Sequence, residues 1–369
     1  MAAPLHTAYS QGSVAVLGTG TALPGKALDN ESLIARVAAL EPELDVRTVR
    51  ALMRRLAIGS RHISRAFRAA AEAPLPGARN PQLAALALRR ALAQAQLEPQ
   101  QLGYLIGHTA TPAQPLPSNI ALVADLLDYA GPHVELRQAC TGFANALLFA
   151  FGMLAQRNAR PVAIVGSETG SLFFDPAAAV HDRDQCVNLA QMGDGAAAIV
   201  LAPARPGMPR LRAAWFGSLG LNRTPGLEMR AGGSDDAAAL TSALAFSHDY
   251  KRIAQSGALL FDAAAAAARL RGVALEEIDW LIPHQVSGNI GTQLAAHFGL
   301  SADRFFVNAG EVGNTGSAAI WLALAKLREQ GLATGARVLA LGAEATKFMH
   351  GGFLYEHCSS TNGSGPVLE

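Results

Sequence analysis

Residues 134–156 read VELRQACTGFANALLFAFGMLAQ. A short run suited to an extended strand ends at Cys140, and a long apolar run suited to a helix starts at once. The same alternation continues on both sides. Strand-like runs are SVAVLG (13–18), YLIGHT (104–109), VELRQA (134–139), PVAIVGS (161–167) and AAIVLA (197–202). They are followed by LRAAWFG (211–217), IDWLIP (278–283), RFFVNA (304–309), RVLALGA (337–343) and GFLYEH (352–357). Ala- and Leu-rich helical runs separate many of them, among them PQLAALALRRALAQAQ (81–96), ALLFDAAAAAARLRG (258–272) and SAAIWLALAKLREQ (317–330). Strands separated by helices in this way predict a layered α/β fold.

The two halves share one pattern: an isolated strand, a long variable stretch, then strand–helix–strand–helix–strand–strand. The Pro-rich APARPGMP (202–209) marks the seam. Residues 1–205 are expected to form one half, carrying Cys140, and residues 206–358 the other. The polar Gly/Ser stretch SSTNGSGPVLE (359–369) reads as a disordered tail. A duplicated α/β pair places its site where strand ends of both halves converge.

Composition removes several classes. With 369 residues, half of them hydrophobic, the chain can bury a large core. A net charge of +1 suggests no nucleic-acid partner. The cysteines are Cys140, Cys186 and Cys358, too few and too scattered for a disulfide framework or a zinc site. A reducing, cytoplasmic setting is expected. MAAPLHTAYSQG lacks a charged start followed by an apolar core, so no signal peptide is expected. Apolar runs such as ALLFAFGMLA are too short to span a bilayer, so no membrane partner is expected.

Cys140 at a strand-to-helix corner has two readings. It is a buried structural thiol, or it is a nucleophile whose thiolate the helix N-terminus stabilises. Two further corners bear on the choice. IDWLIP ends in His284-Gln285, and VNAGEVGNTGSAA (307–319) is a glycine-rich turn carrying Asn314. Thiol, imidazole and carboxamide at strand ends suit covalent acyl transfer, with His284 and Asn314 donating to an oxygen that becomes negative.

On these residues the sequence resembles a β-ketoacyl-acyl-carrier-protein synthase III of the thiolase-like superfamily. The matching pieces are PLPSNIALVADLL, ACTGF, VAIVGSE, MGDGAAAIVL, WLIPHQ, GNTGSAA and the GGFLY ending, and the likeness spans about Ser13 to His357. The resemblance implies a five-layered αβαβα fold and a homodimer. It makes Cys140 the acyl-accepting nucleophile. It gives His284 and Asn314 the thioester carbonyl of a malonyl donor and the enolate left by CO2. Acyl-CoA or an acyl-carrier thioester would be the substrate, acyl carrier protein a partner, and no cofactor is called for. Arg55 and Arg183 fall where the family's arginines contact the CoA nucleotide. Leu116 falls at a gate into the partner subunit's acyl pocket, and Phe143 of ACTGF is assigned to substrate binding.

Smaller motifs are read beside it. Asp194 in GDGA suits a turn that ties backbone amides. Gly18-Thr-Gly20 is no dinucleotide fingerprint, since Leu23 replaces the third glycine and Pro24 follows. GSETG is not a nucleophile elbow, because Val165 holds its first position. His181 and Cys186 lack further ligands for a metal. The basic run Arg47 to Arg61 is either a solvated helix face or a dock for an acidic carrier or CoA phosphates.

The sequence also departs from the family pattern. Ala51 stands where many members stack a tryptophan on adenine. GAEATKFMHGGF (342–353) replaces a glycine triplet and puts Glu344, Lys347 and His350 in a loop expected near Cys140. Decarboxylative condensation in a specialised fatty-acid or polyketide-type pathway is the reading that follows. The alternatives are an acyltransferase delivering the acyl group to an alcohol or amine, and a non-catalytic heterodimer partner.

Overall fold

The structure is a computed structural model and describes residues 6–69, 72–229 and 246–358. The tail expected at 359–369 lies outside the described residues. In chain order the first half carries β1 (Thr7–Tyr9), β2 (Val14–Ala22), β3 (Leu28–Asp29), α1 (Asn30–Leu40), α2 (Val46–Leu56), β4 (Ser60–Arg61) and α3 (Asn80–Ala95). It continues with β5 (Tyr104–His108), α4 (Asn119–Leu126), β6 (His133–Leu136), α5 (Gly142–Leu154), β7 (Val162–Glu168), α6 (Ala178–His181), α7 (Arg183–Gln191) and β8 (Gly195–Pro203). The second half has β9 (Arg210–Ser218), β10 (Leu227–Met229), β11 (Phe246–His248), α8 (Tyr250–Leu270) and β12 (Trp280–Pro283). It ends with α9 (Ile290–Phe298), α10 (Ala309–Val312), α11 (Ala319–Glu329), β13 (Arg337–Glu344) and β14 (Met349–Glu356).

Strands run in the order β6-β5-β7-β8-β2 in the first half and β9-β14-β13-β12 in the second. The two sets meet where Val14 and Ala15 pair with Leu211 and Arg210. Although it precedes β2, β1 crosses to pair with β9.

The two-residue period of a strand sends alternate side chains to opposite faces. Ile164, Ile199 and Leu201 of the first sheet and Val338, Ala340 and Phe353 of the second face inward, onto Leu147 and Phe151 of α5 and Trp321 and Leu324 of α11. Their neighbours Val165, Ala198 and Val200 face outward onto α3 and α4. Leu339, Leu341 and Trp215 face α8 and α9. Layers therefore run helix, sheet, helix, sheet, helix, and both faces of both sheets are buried, which explains strands that are apolar throughout. Gly18 and Gly20 serve this packing: a Cβ at either would lie 2.2 Å from a backbone oxygen of α3, of Ala91 and Ala87 respectively.

Two expected strands are shorter than read. VELRQA pairs only as far as Leu136. RFFVNA reduces to one parallel bridge between Leu281 and Phe305. Beyond it, the amides of Asn308 and Ala309 donate to the side-chain oxygen of Gln285 (2.9 and 3.3 Å), so a carboxamide replaces a neighbouring strand.

A smaller core unites α1, α2 and α7 through Leu33, Leu52, Met53 and Leu189. The basic run proves mixed. Arg50 makes two bonds to Glu31 at the surface, while Arg61 is fully buried and donates to Ala190 O (3.0 Å), so it belongs to no solvated face.

Candidate active site

Loops that follow strand ends of both halves enclose a cavity of about 110 Å³. Ala139 and Cys140 reach it from the β6–α5 corner, Ala110 and Thr111 from beyond β5, and Glu168, Gly170 and Phe174 from the end of β7 and beyond. Asn188, Gln191, Met192 and Gly193 come from α7 and the turn after it, and Leu227 from β10. Asn314 and Gly316 complete it from the second half. Cys140 and Asn314, far apart in sequence, thus share one cavity.

Asn314 is held by backbone on both sides. Its N–H donates to Gln191 O (2.8 Å) and its carbonyl accepts from Gly193 N (3.2 Å), forming a bridge with Met192. Its Oδ1 accepts from Gly316 N (3.1 Å), which leaves the amide NH2 as the end available to the cavity. Close approach of the two turns requires glycine: a Cβ at Gly193 would lie 2.0 Å from Val312 O. Asp194 anchors the same turn, accepting from Ser64 N (2.6 Å) and Ser171 N (3.0 Å), as the turn reading expects.

His284 follows β12, and its N–H donates to Leu341 O (2.8 Å). It is buried, and burial lowers its pKa to about 4, so the ring is neutral at pH 7. It does not line the cavity that Cys140 and Asn314 share.

Cys140 departs from expectation in its electrostatics. Burial pushes the thiol well above its ordinary value, and the charges of Glu344 and Glu168 push it the same way. The helix N-terminus expected to hold a thiolate is already engaged. Thr141, the N-cap of α5, donates its N–H (2.8 Å) and its hydroxyl (2.7 Å) to Glu344 Oε2. Thr346 Oγ1 donates to the other oxygen of Glu344. Glu168 accepts from Ala110 N (2.9 Å) and from the hydroxyls of Thr111 and Ser317, and burial raises its carboxyl.

In the sequence Glu344 is an unusual polar group without an assigned role, and Glu168 within VAIVGSE has none either. A carboxylate ending an otherwise apolar strand was the available signal in both. The other two polar groups of that loop go elsewhere. Lys347 is exposed and donates to Arg223 O. His350 is fully buried on β14 opposite Gly217 of β9, and its pKa is lowered to about 4 by burial.

The remaining predicted residues divide. Arg55 is exposed on the last turn of α2 and Arg183 on the first residue of α7, two helices that share one core. Leu116 is 83% exposed and does not line its own chain's cavity. Phe143 does not line this cavity. Its side chain is fully buried between sheets, edge-on to Trp321 and Phe353, because the first turn of α5 points it into the core and not into the cavity. Cys186 is likewise internal, with its thiol on Ala179 O (3.0 Å). Among the described residues no group of three or more His, Cys, Asp or Glu could hold a metal ion, and no helix is long and apolar enough to cross a membrane.

Five layers with a cysteine at a strand-to-helix corner define a thiolase-type condensing-enzyme fold. Family models agree: residues 134–219 match 3-oxoacyl-[acyl-carrier-protein (ACP)] synthase III, and residues 268–354 match its C-terminal part. A β-ketoacyl-[acyl-carrier-protein] synthase III of Neisseria gonorrhoeae is 30% identical over 315 residues, 84% of this chain and 88% of the relative. Among solved structures, the Pseudomonas aeruginosa 3-oxoacyl-(acyl carrier protein) synthase III, FabH, aligns with a TM-score of 0.76 at 26% identity, over 95% of this chain and 99% of that one. AbyA1, a tetronic acid condensing enzyme, aligns with a TM-score of 0.78 at 27% identity, over 93% of this chain and all of that one. The chain belongs to the β-ketoacyl-[acyl-carrier-protein] synthase III family of condensing enzymes.

Proposed function

We propose that the protein takes an acyl group onto Cys140 and condenses it with a malonyl thioester, with loss of CO2, to give a β-ketoacyl product. The observation that carries this reading is the shared cavity of Cys140 and Asn314, with the asparagine's amide oxygen tied to Gly316 N and its NH2 left to donate. In the first step the donor's C–S bond breaks, a C–S bond to Cys140 forms, and the thiol proton leaves with the departing thiol. In the second, the malonyl C–C bond breaks, CO2 leaves, and the electrons become an enolate whose oxygen accepts from Asn314; neutral His284, which lies outside that cavity, is the second donor the resemblance assigns. The enolate carbon then attacks the Cys140 thioester, and the released thiolate is reprotonated.

A carboxylate at position 314 would repel the enolate, whereas an amide donates without taking a proton. That asparagine favours condensation over acyl transfer to an alcohol or amine. In this reading acyl-CoA or an acyl-carrier thioester supplies the acyl group, and no further cofactor takes part. Arg55 and Arg183, exposed on adjoining helices, would meet the phosphates of CoA or of a carrier. A homodimer acting in the cytoplasm, in a specialised fatty-acid or polyketide-type pathway, completes the proposal. The departure at 342–353, with Glu344 at the nucleophile's corner, supports a specialised role, as does the likeness to a tetronic acid condensing enzyme.

The test is intact mass after incubation with a panel of acyl-CoAs and acyl-carrier thioesters. An adduct mapped to Cys140 and absent from Cys140→Ala is expected. An adduct on Cys186 or Cys358 overturns the assignment.

A further inference from the structure

We propose that Glu344 is a positioning residue for Cys140, its carboxylate occupying the helix N-terminus that would otherwise hold the thiolate. The proposal rests on Cys140 being the nucleophile. Three donors fix the carboxylate: Thr141 N, Thr141 Oγ1 and Thr346 Oγ1. Both Thr141 and Glu344 are buried, with 0% and 2% of their surface exposed. Lys347, the cation closest in sequence, is turned to Arg223 O. The N-cap of α5, Thr141, is therefore engaged with Glu344 through both its N–H and its hydroxyl.

This arrangement locks the corner mechanically. Thr141 Oγ1 also accepts from Gln138 Nε2 (3.1 Å), and Gln138 Oε1 accepts from Asn145 Nδ2 (3.1 Å), so residues on both sides of Cys140 belong to one network. Its electrostatic consequence is a corner that favours the thiol over the thiolate. A free thiolate would face Glu344 at the end of β13 and Glu168 at the end of β7. The imidazole of His108, beneath Gly142, is held neutral by burial, and so is that of His284, which follows β12 outside the cavity. Thiolate charge then appears only while an acyl donor is engaged, and the free enzyme is guarded against adventitious alkylation and oxidation.

Alkylation of Cys140 by iodoacetamide as a function of pH tests this, read by peptide mass so that Cys186 and Cys358 do not contribute. In the native protein the midpoint should lie above the ordinary cysteine value of about 8.5; a midpoint at or below that value overturns the proposal. Glu344→Gln keeps the size and an acceptor but loses the charge. It should lower the midpoint by about one pH unit, raising alkylation about tenfold at a fixed pH below both midpoints. Glu344→Asp keeps the charge and should stay near the native profile. An unchanged midpoint in folded Glu344→Gln, or a fall in Glu344→Asp as large as in Glu344→Gln, assigns Glu344 to hydrogen bonding alone and overturns the electrostatic role. These readings need no acyl donor. If Cys140 takes no acyl group from any donor, the condensation reading fails while the alkylation profiles still decide the place of Glu344.

Discussion

Asn314 and Gly193 are joined by a backbone hydrogen bond of 3.2 Å that crosses between the two halves of the molecule. Beside it Asn314 N–H donates to Gln191 O (2.8 Å), so the turn after α7 in the first half orients a side chain of the second. The cavity depends on this seam, because Cys140 and Asn314 face each other only while the two turns stay closed.

Gly193→Ala should open that seam. The added methyl would lie 2.0 Å from Val312 O, and backbone cannot yield as a side-chain tip does. Overpacking of this kind costs about 1–3 kcal/mol. Thermal unfolding should show the loss. Acylation of Cys140 should persist, while CO2 release from malonyl thioester falls with the displaced Asn314. Equal losses in both half-reactions would show that the turn supports the nucleophile as well.

Asn314→Ala should acylate Cys140 and release CO2 more slowly by about 10²–10³, the usual loss for one oxyanion donor. Asn314→Asp should be poor as well, since a carboxylate would face the developing enolate. Radiometric CO2 release checks both. Unimpaired decarboxylation in Asn314→Ala would favour acyl transfer to another acceptor.

His350 should make stability depend on pH with a definite sign. Folding lowers its pKa from 6.5 to about 4, so between those values the unfolded chain binds the proton and the folded one does not. Its contribution is complete above about pH 6.5 and is lost as pH falls through about 4. Glu168 and Asp194, raised by burial, act in the opposite sense, so the parent's total slope is a mixture. Comparison with His350→Gln cancels them. Urea unfolding between pH 7 and pH 4.5 should give the parent a slope steeper by up to about 1.4 kcal/mol per pH unit. Parallel curves would mean that the ring titrates normally.

Leu116 should tune chain length if it closes a pocket in the partner subunit. Leu116→Phe should favour shorter acyl groups and Leu116→Ala longer ones, each shift within the range of about 1–3 kcal/mol expected for small changes in an apolar pocket. Competition among acyl donors of graded length, read by adduct mass, tests this. An unchanged ranking in both variants would remove Leu116 from the pocket and leave the Cys140 assignment intact.

Some of the molecule was legible in one dimension. Runs such as PVAIVGS and RVLALGA declare strands buried on both faces, because period and composition are local properties of a chain. The corner at Cys140 was visible for the same reason. RFFVNA misled, since its β-branched and aromatic residues suit a strand but Gln285 takes the amides that a neighbouring strand would need. Phe143 was not placed by its motif: a residue in a functional motif still obeys helix geometry, and its place on α5 points into the core.

The sequence by itself determined the layered architecture and the family, because these reside in local pattern and residue type. Tertiary structure alone decided which groups meet. Thr141 and Glu344 come together only when the start of α5 reaches the end of β13, and Asn314 reaches Cys140's cavity only by pairing with the turn at Met192. A helix N-terminus favours whichever anion the fold brings to it, and here Glu344, distant in sequence, accepts from Thr141 at the start of α5.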